Sequence, residues 1–421
     1  MLDIKVIRES PEVVQKNTEA RGANANIAET ISLYEQLLSA RQGKERLQQV
    51  INSISRSFSI LSENEKAQAQ GKGIELKKQL ADVDTKVKGL EVSFNESMLQ
   101  IPNLTAEEVP EGKTDADNVP IKHFGDIPQF DFTPKDHIQL GKELNLIDFP
   151  AGAKVTGAKF YFLKNEAVLL EMALIRYGLD IARRHGFEIM TTPELARDEI
   201  IAASGFTPRG PESQIYSVAD SGVSLIGTSE ITIGGYMANT VLSEKDMPLK
   251  ISGFSHCFRT EAGSYGKESR GLYRVHQFSK VELYQFTTPE NSVEAHEEML
   301  AIEEEYYQSL GIPYRVMLMC KGDLGAPAYK KYDIEGWMPF QNDYGELTST
   351  SNCTDFQARR LNIKFKSGSD KPRFVHTLNG TVVATTRTLL ALLENNQQAN
   401  GSILIPKVLH EYTGITSIDP K

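Results

Sequence analysis

The chain has 421 residues and a formal net charge of −10, with 40% hydrophobic and 24% charged residues. A chain of this length exceeds what one hydrophobic core usually supports, so we expect two domains in an ordinary water-soluble protein. The acidic balance excludes a surface covered with basic patches. Any contact with a nucleic acid must therefore be local, or depend on geometry as well as charge.

The chain has three cysteines and no CxxC pair: Cys257, Cys320 and Cys353. This usage is typical of a reducing cytosol, and it argues against a cysteine-rich structural zinc site. No stretch approaches about 20 consecutive apolar residues, and the segment 1–4 lacks a signal-peptide pattern. We therefore expect a soluble, cytoplasmic protein that does not contact a membrane.

A helical hairpin is predicted within residues 27–100. Apolar residues recur at alternating spacings of four and three from Leu33 to Leu61, interrupted at Lys44, and the rhythm returns from Leu76 to Phe94. This heptad pattern predicts two helices, and the polar, glycine-bearing stretch 62–73 is long enough to reverse the chain. At ~1.5 Å per residue the first helix extends about 40 Å, which indicates an arm. An oligomerisation coiled coil has the same periodicity.

The charge of this arm differs from that of the rest of the chain. Within residues 27–100 ten basic residues balance ten acidic residues, so the acidic excess lies elsewhere. A neutral arm repels a phosphate backbone less than the remainder of the chain does.

A domain boundary is predicted shortly after the hairpin. Pro102 ends the second helix because proline disfavours helical conformation in the residue before it. Residues 105–135 are rich in Pro, Asp and Glu and show little periodicity, so we interpret them as a linker. This divides the chain into an N-terminal domain, 1–104, and a second domain, 136–421. Within the second domain, 166–185 is a predicted amphipathic helix, and 187–193 reads as a strand closed by proline.

The stretch 258–282 contains charged residues in a strand-like pattern. Arg259 and Glu261 are two positions apart after an apolar run, so in an extended strand they would share a face. The residues from Tyr273 to Leu283 alternate in a second strand pattern. A guanidinium binds phosphate or carboxylate bidentately, and the ring of Phe278 could stack on a base. An ordinary surface hairpin, in which the arginine and the glutamate pair with each other, fits the same spacing.

Four stretches together carry a resemblance to a known family. The run FRTEAGSYGKESRGLYRVHQF, 258–278, resembles motif 2 of the class II aminoacyl-tRNA synthetases, and in detail that of the bacterial seryl-tRNA synthetases. The run from Glu346 to Arg360 is similar to that family's ELxS segment and its SNCxDFQARR signature. Residues 376–387 resemble motif 3, and the helix and strand at 166–193 resemble motif 1. A helical hairpin ahead of the catalytic domain is the family's other hallmark.

The resemblance implies a fold and an assembly. The expected fold is α+β, with an antiparallel β-sheet catalytic core flanked by helices and a long antiparallel α-helical hairpin arm at the N-terminus. The arm would reach the elbow and long variable arm of the cognate tRNA. The motif 1 helix and strand would form a homodimer interface.

The resemblance also implies the site residues. ATP is expected to contact Arg259, Thr260, Glu261, Val275, Phe278, Glu346, Leu347, Thr348, Ser349 and Arg387. Serine is expected to contact Thr228, Ser229, Glu230, Arg259, Glu282 and Thr381. Catalysis is assigned to Arg259, Arg387 and Glu346, and Mg²⁺ to Glu346 and Ser349, since hard cations prefer oxygen ligands. Lys267 and Arg270 would meet pyrophosphate or the incoming tRNA end.

Motif 3 departs from the commonest family pattern. Many members have Gly-Ser-Gly-Leu-Ala-Val-Gly-Arg, whereas this chain has Gly-Thr-Val-Val-Ala-Thr-Thr-Arg at 380–387. Thr381 keeps a hydroxyl for serine, but its extra methyl narrows the expected pocket.

The implied activity has two steps. Serine and ATP·Mg²⁺ give seryl-adenylate and pyrophosphate, and the 3′ end of tRNA(Ser) then takes the seryl group, with tRNA(Sec) as a second candidate acceptor. Two alternatives remain. A paralogue that passes an adenylated amino acid to a carrier protein would share the core but lack the arm. A non-catalytic tRNA-binding protein would keep the fold alone.

Overall fold

The computed structural model describes residues 1–206, 214–261 and 271–420. These residues form two compact units, 1–104 and 105–421. Within the described residues, no helix is both long enough and apolar enough to cross a membrane.

The first unit is helical throughout. Its helices are α1 (Ile4–Glu9), α2 (Pro11–Ala20), α3 (Ile27–Ser57) and α4 (Glu63–Gln100), with one 3₁₀ turn at Phe58–Ile60. The last two helices pack against each other as the predicted hairpin. The rings of Tyr34 and Phe94 lie 5.6 Å apart across it. Lys44, the polar break in the heptad pattern, forms an ion pair with Asp84 on the facing helix.

The predicted link between the two hairpin helices is wrong in its length. The sequence favours a non-helical stretch over 62–73, but α4 already begins at Glu63. Ser62 and Glu65 form a capping box, in which the Glu65 carboxylate accepts from the Ser62 backbone N–H at 2.8 Å. Gly71 and Gly73 lie inside the helix, where each costs only about 1 kcal/mol relative to alanine. Capping and helix continuity therefore outweigh the two glycines.

The second unit contains nine helices and seventeen strands among its described residues. The helices are α5 (His137–Glu143), α6 (Phe149–Thr156), α7 (Glu166–Arg184), α8 (Asp198–Ser204), α9 (Ser229–Tyr236), α10 (Ser292–Ser309), α11 (Phe356–Leu361), α12 (Thr385–Asn395) and α13 (His410–Thr413). The strands are β1 (Val119–Phe124), β2 (Ile147–Asp148), β3 (Phe162–Leu163), β4 (Glu188–Thr191), β5 (Leu195–Arg197), β6 (Val223–Leu225), β7 (Val241–Ser243), β8 (Leu249–Phe258), β9 (Gln277–Thr287), β10 (Tyr314–Leu318), β11 (Lys330–Met338), β12 (Asp343–Asn352), β13 (Lys364–Lys366), β14 (Arg373–Phe374), β15 (His376–Ala384), β16 (Ile403–Leu404) and β17 (Ser417–Ile418).

One eight-stranded sheet organises this unit, in the order β1-β10-β11-β12-β15-β9-β8-β4. Its pairs are antiparallel except for β4, which runs parallel to β8. The predicted helix at 166–185 and strand at 187–193 are confirmed as α7 and β4. The segment 105–135, interpreted above as a linker, contributes edge strand β1. All six residues of β1 are exposed, and Pro120 and the uneven spacing of Val119, Ile121 and Phe124 obscure its strand pattern in the sequence.

One face of the sheet is covered by helices and the other holds the site. Helices α7, α10 and α12 pack against the sheet. Val281 and Leu283 of β9 are fully buried in the core together with Tyr306 of α10. Because side chains alternate across a strand, the residues between them, Lys280 and Glu282, point to the opposite face.

Candidate active site

Two adjoining cavities open on the site face of the sheet. We call the first cavity A; its volume is about 280 Å³. Cavity A is lined by Arg259, Glu261, Tyr273, Arg274, Val275, Phe278, Lys280, Lys331, Glu346, Leu347, Thr348, Ser349, Thr381, Ala384, Thr386 and Arg387. We call the second cavity B; its volume is about 260 Å³. Cavity B is lined by Gly205, Phe206, Thr228, Glu230, Arg259, Lys280, Glu282, Gly325, Ala326, Pro327, Ala328, Lys331, Ser349, Ser351, Cys353, Asn379 and Thr381.

Arg259 lies at the junction of the two cavities. It follows directly after the last residue of β8, and its Nε and Nη2 donate to the carbonyl of Gly227 at 3.3 and 3.2 Å. Its guanidinium carbon lies 5.3 Å from the ring centre of Phe278 on β9. One carbonyl and one ring face thus orient this guanidinium toward both cavities.

Arg387 lines cavity A from the first turn of α12. Its Nη1 lies 3.0 Å from Oε1 of Glu346, and its Nε donates to the carbonyl of Tyr273 at 3.4 Å. Its guanidinium carbon also lies 5.0 Å from the ring centre of Tyr273. A helix N-terminus favours anions, so the helix and the guanidinium act in the same sense.

Glu346 is the acid of cavity A closest to these cations. Desolvation alone would raise the pKa of its carboxyl group, but Arg387, Lys331 and Arg259 outweigh desolvation and lower this pKa to about 2. The carboxylate therefore stays ionised at any pH near neutrality and offers oxygen atoms to a cation.

Cavity B contains two buried carboxyl groups. Glu230, in the first turn of α9, is 5% exposed, and its Oε1 accepts from Gln357 at 2.6 Å and from Asn379 at 2.9 Å. Burial, followed by the nearby charge of Glu282, raises the pKa of Glu230 to about 7. Thr228 caps the same helix, since its hydroxyl accepts from the Glu230 backbone N–H at 3.3 Å.

The second carboxyl group, Glu282, is 2% exposed and has two polar partners. Its Oε2 lies 2.5 Å from Nζ of Lys280 and accepts from the Thr381 hydroxyl at 2.9 Å. Lys280 in turn donates to the Thr381 hydroxyl at 3.4 Å. These partners come from β9 and β15, which are hydrogen-bonded neighbours in the sheet.

Comparison with known proteins identifies the family of the chain. Residues 1–105 match the family model described as seryl-tRNA synthetase N-terminal domain, and residues 216–396 match tRNA synthetase class II core domain (G, H, P, S and T). The serine–tRNA ligase of Rubrobacter xylanophilus is 48% identical over 100% of this chain and 99% of its own length. The chain belongs to the seryl-tRNA synthetase family.

Further comparisons agree with this assignment to the seryl-tRNA synthetases. The serine–tRNA ligase of Treponema denticola is 49% identical over 99% of this chain and 100% of its own length. The crystal structure of seryl-tRNA synthetase from Pyrococcus horikoshii complexed with ATP has a TM-score of 0.90 at 38% identity and covers 100% of both chains. The cytoplasmic serine–tRNA ligase of Naegleria fowleri in complex with AMP has a TM-score of 0.85 at 29% identity, covering 100% of this chain and 99% of that one. The predicted α+β fold and the resemblance based on motif 2 are confirmed.

The structure brings most of the predicted site residues of this seryl-tRNA synthetase family member to the two cavities. Those lining cavity A are Arg259, Glu261, Val275, Phe278, Glu346, Leu347, Thr348, Ser349, Thr381 and Arg387. Those lining cavity B are Thr228, Glu230, Arg259, Ser349, Glu282 and Thr381.

Two predicted residues line neither cavity. The hydroxyl of Ser229 donates to the Gly253 carbonyl at 3.1 Å, beneath α9. The backbone N–H of Thr260 donates to the Gln214 carbonyl at 3.3 Å. Lys267 and Arg270 lie outside the described residues.

The expected geometry of Arg259 and Glu261 is wrong. Strand β8 ends at Phe258, and Glu261 has a left-handed backbone with φ +49°, so the two side chains do not share a strand face. Glu261 Oε2 instead lies 3.2 Å from Nη1 of Arg274, and β9 begins at Gln277 rather than at Tyr273. Both side chains still reach cavity A because the backbone turns after β8. The surface-hairpin alternative also required the two residues to pair, yet each has another partner.

Sequence reasoning missed several lining residues. Lys280 lies two positions from both Phe278 and Glu282, so all three side chains point to one face of β9. Strand periodicity could therefore have predicted Lys280 as a lining residue. Asn379 lies two positions before Thr381 on β15, so the same periodicity could have predicted it, whereas Lys331 on β11 carries no such local signal. Lys331 reaches the cavities through the order of strands in the sheet.

Proposed function

We propose that this chain is a serine–tRNA ligase that activates serine with ATP and transfers the seryl group to the 3′ end of tRNA(Ser). One observation supports this above the others. A cavity lined by three guanidinium groups adjoins a cavity with two buried carboxyl groups, and Arg259 lines both. A triphosphate and an amino acid bound in these cavities would meet at that arginine.

Cavity A is proposed to bind ATP. Arg259 and Arg387 would neutralise phosphate charge, Phe278 would stack on the adenine, and Glu261 would accept from its amino group. Arg387 would cover the other face of the base.

Mg²⁺ is proposed to be held by Glu346 and Ser349, which both line cavity A. Magnesium is commonly held by one or two carboxylates together with substrate phosphates and water, and an ionised carboxylate with a neighbouring hydroxyl fits this preference. When bound, the ion would offset the charge of the phosphates. Among the described residues no group of three His, Cys, Asp or Glu side chains is arranged to hold a metal, so the proposed site depends on the nucleotide for its remaining ligands.

Cavity B is proposed to bind serine. The ammonium group has three N–H donors, and the side-chain oxygens of Glu230 and Thr228 would accept hydrogen bonds from them. The serine hydroxyl would donate to Glu282 and contact Thr381. Alanine would leave these buried polar groups unpaired, and a site of this kind discriminates strongly against an analogue that lacks the hydroxyl.

The proposed reaction requires no protein nucleophile. A serine carboxylate oxygen attacks the α-phosphorus in line, the bond to the β-phosphate oxygen breaks, and pyrophosphate leaves. A ribose hydroxyl of the tRNA end then attacks the seryl carbonyl. The anhydride bond between the carbonyl carbon and the AMP phosphate oxygen breaks, and the hydroxyl proton passes to the leaving AMP phosphate. Positioning and charge stabilisation by Arg259 and Arg387 would provide the rate enhancement.

The remaining proposals concern partners and organisation. The hairpin of the 1–104 domain is proposed to bind tRNA(Ser). The catalytic domain is proposed to comprise residues 136–421, with β1 from the segment 105–135 as an edge strand of its sheet. A homodimer through α7 and β4, a cytoplasmic location and activity on tRNA(Sec) are further proposals based on the resemblance.

Two assays test the proposed function. Pyrophosphate exchange with each amino acid should proceed with serine and not with alanine, and serine should then be esterified to tRNA(Ser). Exchange without transfer would favour the carrier-protein alternative, and absence of exchange would favour the non-catalytic one.

A chain that lacks residues 27–100 should keep exchange and largely lose transfer, because only transfer needs the arm. Equal transfer by both forms would remove the role assigned to the arm.

A further inference from the structure

A buried histidine outside both cavities connects two parts of the nucleotide site. His137, the first residue of α5, is 5% exposed. Its Nδ1 lies 2.9 Å from Oε1 of Glu394 on α12. Its Nε2 lies 3.1 Å from the backbone nitrogen of Leu272, just before the residues that enter cavity A.

The two contacts determine the tautomer of this imidazole. The Leu272 N–H can only donate, so Nε2 of His137 must be the unprotonated acceptor. The proton therefore sits on Nδ1 and is donated to Glu394. Glu394 is itself held, because it accepts from the backbone N–H groups of His137 at 3.1 Å and Phe340 at 3.2 Å. A carboxylate that fixes one ring nitrogen in this way sets the role of the other.

The chain after Leu272 supports the nucleotide side of the site. The carbonyl and the ring of Tyr273 both contact Arg387. Arg274 holds Glu261 at 3.2 Å, and Val275 lines cavity A. None of the residues 272–275 lines cavity B.

The approach of the chain to the imidazole is close enough to require glycine. Gly271 has φ +65°, and a Cβ at this position would lie 2.0 Å from Nε2 of His137. Arg387 and Glu394 are seven residues apart on α12, about two helical turns, so they project from one side of the helix. His137 thus ties residues 271–273 to the helix that carries Arg387.

We propose that His137 is a positioning residue for ATP: it holds residues 272–275 against α12, so that Tyr273 and Arg387 keep the geometry that binds the triphosphate. The inference rests on the proposed function only in taking ATP as the occupant of cavity A. It assigns no contact between His137 and substrate.

Two amide variants separate the two contacts of the ring. In His137→Gln the side-chain oxygen can reach the position of Nε2 and accept from Leu272. In His137→Asn the shorter amide reaches the position of Nδ1, donates to Glu394 and leaves the buried Leu272 N–H without an acceptor. The free-energy cost of leaving a buried N–H without an acceptor corresponds to about a tenfold change in an equilibrium constant. We expect His137→Asn to weaken ATP binding by about tenfold, and His137→Gln to stay close to the unmodified chain.

ATP affinity should be measured by calorimetry without serine, and the KM values for ATP and serine by pyrophosphate exchange. The KM for serine should stay unchanged in both variants. His410→Ala is the control: it removes a histidine that contacts the Ile405 carbonyl and lines neither cavity, so it should leave both KM values unchanged. Equal effects of the Asn and Gln variants on ATP, or a parallel rise of both KM values, would overturn the proposal.

A second measurement covers the case in which the Asn variant folds poorly. In His137→Ala, added imidazole should restore ATP affinity, because a free ring can bridge Leu272 and Glu394 again. Absence of rescue in folded His137→Ala would contradict the proposal. If the unmodified chain binds ATP but shows no serine-dependent exchange, the proposed function fails, while the calorimetric comparison of variants still tests His137.

Discussion

Cavity A and cavity B share Arg259 and two lysines, Lys280 and Lys331, but contain different carboxyl groups. Cavity A holds five cationic side chains against two carboxylates. Its cations are Arg259, Arg274, Lys280, Lys331 and Arg387, and its acids are Glu261 and Glu346. Cavity B adds Glu230 and Glu282, which are both buried and hydrogen-bonded. One cavity suits a polyanion and the other an ammonium group with a hydroxyl.

The two cavities also differ in how the charge of their side chains depends on pH. In cavity A desolvation alone would lower the pKa of the Arg387 guanidinium, but the charge of Glu346 with other neighbouring groups outweighs desolvation and raises this pKa, so this cation stays charged near neutrality. Glu230 in cavity B has a pKa of about 7, so the charge of this acid depends on conditions and on the presence of a cation. Substitutions should therefore affect the two cavities in separable ways.

The largest effect is expected at Arg259, the arginine that lines both cavities. Arg259→Ala should reduce serine-dependent pyrophosphate exchange by about 10²–10³-fold, since a preorganised cation at the reacting phosphate is lost. Arg259→Lys should recover little of this activity, because an ammonium cannot reproduce a bidentate guanidinium. Steady-state exchange kinetics test this, with thermal unfolding as the check on folding. Near-normal activity of Arg259→Ala would contradict the proposal that ATP and serine meet at Arg259.

A smaller and more selective effect is expected at Glu282. Glu282→Gln should raise the KM for serine by about 10- to 100-fold and narrow the preference for serine over alanine. The KM for ATP should change little, because Glu282 lines cavity B and not cavity A. Exchange assays with both amino acids measure the ratio. A rise in the KM for ATP instead would indicate that Glu282 acts on cavity A through Lys280, which lines both cavities.

The third effect is a pH dependence confined to cavity B. Glu230 is neutral below its pKa of about 7 and cannot then pair with an ammonium group. The affinity for serine should therefore fall by up to about tenfold for each pH unit below this value. In Glu230→Gln, serine should bind more weakly and without this slope. The KM for serine as a function of pH distinguishes these cases, and a slope retained in the Gln variant would assign the titration elsewhere.

The smallest effect concerns the stability of the sheet behind the cavities. Burial, then the charges of Glu282 and Asp333, raise the pKa of Glu303 well above its ordinary value. Between the ordinary and the raised pKa the unfolded chain releases a proton that the folded chain retains, so stability falls as pH rises. Glu303→Gln should therefore raise the melting temperature by a few degrees, more at alkaline than at acidic pH.

The exposed Glu294 on the same helix provides the matched control for this stability measurement. Because Glu294 lies in the first turn of α10, where a carboxylate is favoured, Glu294→Gln should lower the melting temperature slightly rather than raise it. A pH-independent gain in Glu303→Gln would show that the ionisation of Glu303 does not limit stability.

Local patterns predicted the parts of the fold that depend on one element alone. The heptad rhythm from Leu33 to Leu61 predicted helix α3, and the apolar face of 166–185 predicted α7. Strand β1 was not predicted because Pro120 lies within it and its apolar residues are unevenly spaced. The start of α4 was not predicted because a capping box at Ser62 outweighed two glycines.

The sequence by itself determined the family, the helical hairpin and most residues of the two cavities, because these depend on runs of neighbouring residues. Only the tertiary structure decided that Glu261 lies beyond the end of β8 and pairs with Arg274, and that Lys331 lines the cavities. It also decided that the hydroxyl of Ser229 donates to the Gly253 carbonyl of β8 and does not line a cavity. The physical reason is the same throughout: which strands become neighbours, and in which register, depends on contacts between residues far apart in the chain.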